Sequence, residues 1–314
     1  KILQYISSIF LVCLLLADYS YKDLPIQQSG RIKPFDSFAR NQLLQFYGKG
    51  KIKSIEETAT INAIDWFYMI LSSPDKELDR PIFNIRNPEV ATALGLNKNE
   101  HHKYSFKNII QGFQDNQQLL ESLKTKNEKE QTLVDKQVIE IYQNILSFDE
   151  VTHSAYCFLP LINISNDVNR EYLGIDHSKP LSYSYFMRNI DKFKVLLKDL
   201  LATEEKDWNE SHFELSQIAI QLQAMTQFHY AQALKIIPVQ NGEWLSPWEM
   251  MDGRSMNEFQ EKILASYEDL FYYYITSDLN KVNIESNSII EMISEYDNSL
   301  NISLLTKETS YNKN

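Results

Sequence analysis

The chain has 314 residues, of which 43% are hydrophobic and 23% are charged, and this composition is typical of a globular protein rather than of a disordered or collagen-like chain. Its 31 basic and 42 acidic residues give a net charge of −11, which argues against nucleic acid as a partner because phosphate contacts need clustered Lys and Arg. Only two cysteines occur, Cys13 and Cys157, so a disulfide framework, a cysteine-rich zinc site and a CxxCH haem attachment site are excluded.

An uncharged segment opens the chain. Residues 2–17 (ILQYISSIFLVCLLLA) contain no charged side chain, and they follow Lys1 rather than an initiator Met. In a helix, 16 residues span about 24 Å, which is less than the roughly 30 Å hydrocarbon core of a bilayer. The segment therefore fits a signal-peptide core, or a transmembrane helix that a few preceding apolar residues would complete. We expect residues 1–17 to be a membrane anchor or signal segment and residues 18–314 to lie on the far side of the membrane.

The sequence after residue 18 predicts a mainly α-helical domain, because its eight glycines and nine prolines fall between periodic segments. Asp36 and Ser37 are placed to cap a helix that ends at Gly48, and a second helix is predicted over residues 55–71. Residues 79–88 contain two prolines and short β-type runs, which predict an irregular or edge-strand connection.

Two later segments carry apolar residues at helical spacing. The first contains Val134, Val138, Ile141, Ile145 and Phe148, and the second, predicted to be the longest helix at residues 212–236, contains Leu215, Ile218, Leu222, Met225 and Phe228.

A small β-hairpin is predicted over residues 236–245, because Asn241 and Gly242 form a dipeptide typical of a tight turn. Pro238 restricts this hairpin to the edge of a sheet. Helices are predicted again over residues 256–276 and 284–296, and the last dozen residues are expected to be weakly structured. No repeat of fixed period is evident, although helix pairs of this length also suit a solenoid.

The sequence contains no pattern typical of a catalytic or metal site. The adjacent His101 and His102 point in divergent directions, and His229 borders an apolar stripe, where a satisfied, partly buried histidine is expected. There is no GxSxG elbow or glycine-rich phosphate loop, and Cys157 lies in an apolar run. We therefore predict no catalytic residue and no metal ligand, and we assign no cofactor-binding residue.

The first candidate partner-binding segment is residues 24–40 (LPIQQSGRIKPFDSFAR), which is unusually basic for this acidic chain. This pattern predicts a loop that leads into a helix. Arg31, Lys33 and Arg40 are placed to meet anionic headgroups or an acidic partner near the membrane. The alternative is a conformational role, in which the glycine and the second proline fix the approach to the helix.

The second candidate is residues 244–251 (WLSPWEMM), where Trp244 and Trp248 are four residues apart around a Ser-Pro helix start. Trp and Met together are typical of partner-binding surfaces. Core packing of both rings is the alternative.

Three segments resemble the system II cytochrome c biogenesis proteins, the CcsA/ResB class found as fused proteins in Bacteroidetes and their relatives. These are GRIKPFDSFAR at residues 30–40, LKIIPVQNGEWLSPW at residues 234–248 and ETSYNKN at residues 308–314. Together they bracket nearly the whole chain, while residues 71–236 match only in helical character.

Members of that class move haem outward across the membrane and attach it to CxxCH apocytochromes, using a WWD segment and axial histidines in their membrane core. This chain has neither feature, so the resemblance assigns no haem ligand here, and haem is expected only through the complex. The resemblance implies a periplasmic domain of an inner-membrane protein, held between two membrane parts. It implies apocytochrome c and the membrane haem-handling core as partners, and a role in haem delivery or apocytochrome presentation within a holocytochrome c synthase.

Two other functions remain open. The same helices and aromatic residues suit a non-enzymatic interaction scaffold of another envelope complex. A solute-binding lipoprotein is the third possibility, and it would require an enclosed polar pocket.

Overall fold

The computed structural model describes residues 19–54, 58–99, 101–175, 179–240, 242–253, 255–297 and 300–312. Within these ranges the chain is mainly helical and contains 15 α-helices, which confirms the predicted mainly α class. The helices are α1 (Phe35–Tyr47), α2 (Ala63–Ser72), α3 (Pro74–Glu77), α4 (Pro88–Ala93), α5 (Phe106–Asp115), α6 (Gln117–Thr125), α7 (Leu133–His153), α8 (Asp167–Leu173), α9 (Tyr183–Arg188), α10 (Ile190–Ala202), α11 (Glu210–Met225), α12 (Pro247–Met251), α13 (Glu258–Ile275), α14 (Leu279–Tyr296) and α15 (Ile302–Tyr311).

Within the described ranges, six short strands form three separate two-stranded antiparallel sheets, β1–β2, β3–β4 and β5–β6. The strands are β1 (Pro25–Gln28), β2 (Arg31–Pro34), β3 (Lys51–Lys53), β4 (Thr60–Asn62), β5 (Phe83–Asn84) and β6 (Lys103–Tyr104). The β5 strand confirms the edge-strand connection predicted over residues 79–88.

Local sequence sets the ends of many helices. The long helix α7 begins at a capping box in which the Thr132 hydroxyl accepts from the Asp135 amide, and Asp135 accepts from the Thr132 amide. Helix α1 ends at Gly48, whose φ of 74° is the left-handed conformation that favours glycine at a helix C-terminus. Its start differs from the prediction, because Pro34 occupies the N-cap and neither Asp36 nor Ser37 caps the helix.

The core is one cluster of buried side chains that draws on most of the helices. Near its centre, edge-to-face or tilted aromatic pairs join α1, β5 and α7, with the Phe46, Phe83 and Phe148 ring centroids 5.4 to 5.8 Å apart. Such pairs add about 0.5–1.5 kcal/mol each beyond the area they bury. Helix α13 joins this core through Phe271, whose ring is stacked 5.7 Å from that of Phe158.

A salt bridge is buried beside α3. The Arg80 and Glu77 side chains are only 4% and 3% exposed. They form two parallel hydrogen bonds, Nη2 to Oε1 at 2.8 Å and Nε to Oε2. Arg80 Nη1 also donates to the Lys53 carbonyl at 3.0 Å. This guanidinium therefore holds the β3–β4 hairpin against the end of α3.

Two predicted helices are shorter than the sequence pattern indicated. The helix predicted over residues 55–71 begins only at Ala63, because the described residues before it form the β3–β4 hairpin. The helix predicted over residues 212–236 ends at Met225 and continues as a single 3₁₀ turn. At that point the Thr226 hydroxyl bonds back to the Gln223 carbonyl at 2.7 Å.

The end of the chain is more ordered than predicted. Residues 302–311 form α15, which Asn301 caps through its side chain and which buries Leu305 and Thr309. The expectation of a weakly structured terminus was wrong for these residues.

The predicted anchor, residues 1–17, lies outside the described residues. None of the helices in the described ranges is both long and apolar enough to cross a membrane.

Candidate functional site

The basic segment at residues 24–40 is a hairpin followed by a helix, rather than the predicted loop. Strands β1 and β2 pair in the register Gln28 to Arg31, so the turn consists of Ser29 and Gly30. Their φ angles are 52° and 75°. A two-residue turn with two positive φ angles twists in the same sense as the flanking strands, and the hairpin leads directly into α1.

The second edge of β1 pairs with the segment that precedes α12. The Gln27 amide donates to the Lys235 carbonyl at 2.9 Å, and the Trp244 amide donates to the Gln27 side-chain oxygen at 2.7 Å. The predicted hairpin over residues 236–245 is present as one antiparallel bridge between Ile237 and Leu245. Asn241, in its predicted turn, lies outside the described residues.

Glu249 fixes this segment to α12. It accepts from Lys235 Nζ at 2.5 Å and from the Ser246 amide at 2.8 Å, and the Ser246 hydroxyl caps the helix in return. The Ser-Pro helix start predicted from the sequence is confirmed. Burial alone would raise the pKa of Glu249, but the hydrogen bonds from Lys235 and Ser246 outweigh it and lower that pKa.

The lowered pKa of Glu249 predicts a pH effect. The folded pKa is below that of the unfolded chain, so Glu249 stabilises the fold above about pH 4.5, and this contribution is lost as the pH falls through the folded pKa. We expect Glu249→Gln to lower stability at pH 7 and to have a smaller effect near pH 3, in urea titrations at both pH values. An equal loss of stability at both pH values would contradict the assignment.

Both candidate tryptophans lie in the core. Trp244 is 2% exposed and Trp248 is 1% exposed. Trp248 Nε1 donates to the His153 carbonyl at 3.1 Å, and its ring lies 5.2 Å from that of Tyr183. The two rings do not form an exposed aromatic surface in this structure. They pack in the core, which was the alternative interpretation of the sequence.

The three candidate basic residues have partners within the chain. Arg31 forms an exposed salt bridge with Glu308 at 2.5 Å. The Lys33 ammonium donates to the Gln28 side chain at 2.9 Å, and partial burial together with the Arg31 charge lowers the pKa of Lys33. Arg40 donates to two acceptors, one of them on Asp36 of its own helix.

Helix α15 connects these residues to the end of the chain. The second acceptor of Arg40 is the Asn312 carbonyl, and the Asn312 side-chain amide donates to Asp36 and to Ser37, at 2.9 Å in each case. Asp36 and Ser37 therefore bind the residue that follows α15 instead of capping α1.

A surface groove of about 800 Å³ opens beside the β1–β2 hairpin. One wall is the hairpin, another is the segment before α12, and the third is the end of α14. The described lining residues are Gln27, Gly30, Ile32, Val239, Gln240, Gly242, Glu243, Trp244, Tyr296 and Asp297. They include two carboxyl and two amide side chains and no Lys, Arg or His.

His153 and His229 pack against aromatic rings. His229 is half-buried, and its Nε2 lies 3.3 Å from the Tyr183 hydroxyl. This is the hydrogen-bonded histidine that was expected at the edge of the core. The His153 ring is stacked on Phe228 at 4.3 Å. No cluster of three or more metal-ligating side chains occurs among the residues that the structure describes.

Sequence reasoning did not reveal the groove, although Gly30 and Trp244, which line it, belong to segments that the sequence analysis singled out. Gln27 bears no motif, and Tyr296 and Asp297 stand at the end of an ordinary amphipathic helix. Glu308 and Asn312 belong to a quoted segment, but their contacts are with residues about 275 positions earlier. Comparison with models of protein families and with curated protein sequences gives no match for this chain.

Proposed function

We propose that this chain is the membrane-tethered periplasmic part of a cytochrome c maturation machine, which presents the apocytochrome to a membrane haem-handling core. The core lies in a partner subunit or elsewhere in the same polypeptide. In this role the domain positions the apocytochrome and does not itself catalyse haem attachment, since no catalytic residue is assigned to it.

The observation that carries the proposal is the meeting of the three segments that resemble this class. Gly30 and Ile32 of the first segment and Val239 and Trp244 of the second line one groove. Arg31 of the first segment is paired with Glu308 of the third. Segments that are far apart in sequence but adjacent in space can form one surface, and we propose that these three segments do so.

Two described segments that are far apart in sequence also meet beside the start of α1. The Lys22 carbonyl accepts from the Asp36 amide, and the Asp36 side chain accepts from Asn312. Residues 22 and 312 thus lie close together beside the start of α1. This proximity suits the proposed arrangement, in which membrane parts precede and follow the domain.

The groove beside the hairpin supplies a surface for the apocytochrome. Its amide groups, on Gln27 and Gln240, can bond an extended main chain, and the exposed Glu243 can pair with a basic side chain. We propose that an unfolded segment of the apocytochrome lies in this groove while haem is attached by the membrane core.

The test is haem staining of membrane and periplasmic proteins from cells with and without this protein. We expect covalently haem-stained bands to disappear without it and to return on complementation. In the complemented strain, Glu243→Lys is expected to lower holocytochrome several-fold, because a positive charge repels a basic segment from the groove. Glu205→Lys is the matched control, since Glu205 is also exposed and lies outside the groove.

Unchanged staining in cells that lack the protein would overturn the proposal and leave the envelope scaffold as the account of the chain. Equal effects of Glu243→Lys and Glu205→Lys would keep the maturation role and reject the groove as the apocytochrome site. Immunoblots of both variants show that each accumulates to the normal level.

A further inference from the structure

An apolar corner lies where α13 turns into α14. Ile275 at the end of α13, Leu279 at the start of α14, and Ile284 one and a half turns later are all exposed, and Ile284 is 64% exposed. Ile275 and Leu279 flank the turn, and Ile284 lies about 140° further around α14, so the three exposed side chains mark the turn and one side of the helix that follows it. We call Ile275, Leu279 and Ile284 the α13–α14 corner.

Tyrosine and lysine side chains border this corner. Lys281 Nζ lies 4.9 Å from the centre of the Tyr273 ring, and Lys179 Nζ lies 4.5 Å from that of Tyr272. Tyrosines beside aliphatic groups, with lysine ammonium groups above the rings, are typical of protein surfaces at the boundary between lipid and water.

The start of the described chain is bonded to the same helix. The Tyr19 amide donates to Asn287 Oδ1 at 2.9 Å, and Asn287 Nδ2 donates to the Tyr19 carbonyl at 3.0 Å. Asn287 follows Ile284 by three residues and is therefore its neighbour on the helix surface. Any anchor that precedes Tyr19 is thus attached beside Ile284.

The length of the connection limits how far this surface can lie from a bilayer. Between Ala17, the last residue of the uncharged segment, and Tyr19 there are two residue steps, which reach at most about 7 Å. The headgroup layer on each side of the hydrocarbon core is about 5–7 Å thick. A membrane anchor that ends at Ala17 therefore keeps Tyr19, and the helix face bonded to it, within or against the headgroups.

We propose that the α13–α14 corner is a bilayer-contacting surface that inserts Ile284 and its neighbours among the headgroups and so fixes the orientation of the domain. This inference rests on the membrane tether of the proposed function. Asp278, Lys281, Glu285 and Glu291 are the charged residues on and just before α14 near this face, and Lys22 lies on the segment that follows Tyr19. Lys281 is paired with Asp278, so this face has no excess of positive charge and the contact does not require anionic lipid.

The experiment uses the full chain with Cys13→Ser, reconstituted in phosphatidylcholine nanodiscs. A nitroxide spin label is attached at Ile284→Cys or, as the control, at Leu201→Cys, since Leu201 on α10 is an aliphatic residue that is 85% exposed. Cys157 is retained because it is fully buried. Collision rates with a water-soluble nickel complex and with oxygen are measured by electron paramagnetic resonance.

At position 284 we expect nickel collisions about threefold or more lower than at position 201, and oxygen collisions higher. Nanodiscs with added phosphatidylglycerol should give the same values. If the nickel collision rates at the two positions are equal, whether high or low, the corner is not the contact surface. That result would leave the tether intact. If the full chain stays in solution without lipid, the tether is wrong and this inference is wrong with it. Failure of the maturation role alone would appear only in the haem staining.

Discussion

Replacing Trp248 by alanine is expected to lower the free energy of unfolding by about 3–5 kcal/mol. The indole is 1% exposed and contacts the rings of Tyr183 and His229. The substitution removes these contacts, leaves a cavity, and deprives the His153 carbonyl of its Nε1 donor. Urea unfolding followed by far-ultraviolet circular dichroism measures the change.

Trp208→Ala is the control, because Trp208 is only partly buried. Its Nε1 donates to a nearby backbone carbonyl, that of Thr203, and its ring contacts the exposed Phe213. We expect a loss of about 1–2 kcal/mol there. If Trp248→Ala were no more destabilising than Trp208→Ala, the indole of Trp248 would not be a core group, and a partner-binding role for it would be restored.

Replacing Arg80 by methionine is expected to destabilise the fold by about 3–5 kcal/mol, because the Glu77 carboxylate would be left buried without its counter-ion. The Lys53 carbonyl would also lose a hydrogen bond, which loosens the β3–β4 hairpin. Chemical unfolding at pH 7 gives the size of the effect.

The double variant Glu77→Leu with Arg80→Met distinguishes the loss of the salt bridge from the cost of leaving one charge buried without a partner. Removing both charges leaves no unpaired carboxylate, so we expect the double variant to recover most of the stability lost by Arg80→Met. If the loss of stability in the double variant equalled the sum of the losses in the two single variants, the two charges would not act as a pair. Lys107→Met is a suitable surface control, since its bond to Asp79 is exposed and expected to contribute little.

The helices that the sequence predicted best are those whose pattern is local. Residues 133–153 carry a capping box and an unbroken apolar stripe, and both are properties of one segment. Residues 60–62 form a strand because residues 51–53 pair with them, and a single-segment pattern does not reveal this pairing. Helix α15 is similar: it is short and polar, and its position is set by contacts to β2 and α1.

The candidate site was only partly accessible to sequence reasoning for the same reason. The sequence singled out the basic segment and the tryptophan segment, because turn glycines, prolines and tryptophans stand out in composition. It did not establish whether Trp244 faces solvent or core, since exposure depends on which other segments cover a residue. The salt bridge between Arg31 and Glu308 joins residues 277 positions apart, and no local pattern could indicate it.

The contact of Asn312 with Asp36 also determines how the domain responds to force. Because Lys22 and Asn312 both bond to Asp36, a pulling force applied between these two segments passes through a few hydrogen bonds at the start of α1. We expect α15 to detach first under such a force, since the aromatic core around Phe148 lies outside this path. In the proposed tethered arrangement, lateral movement of the membrane parts would be absorbed at this contact.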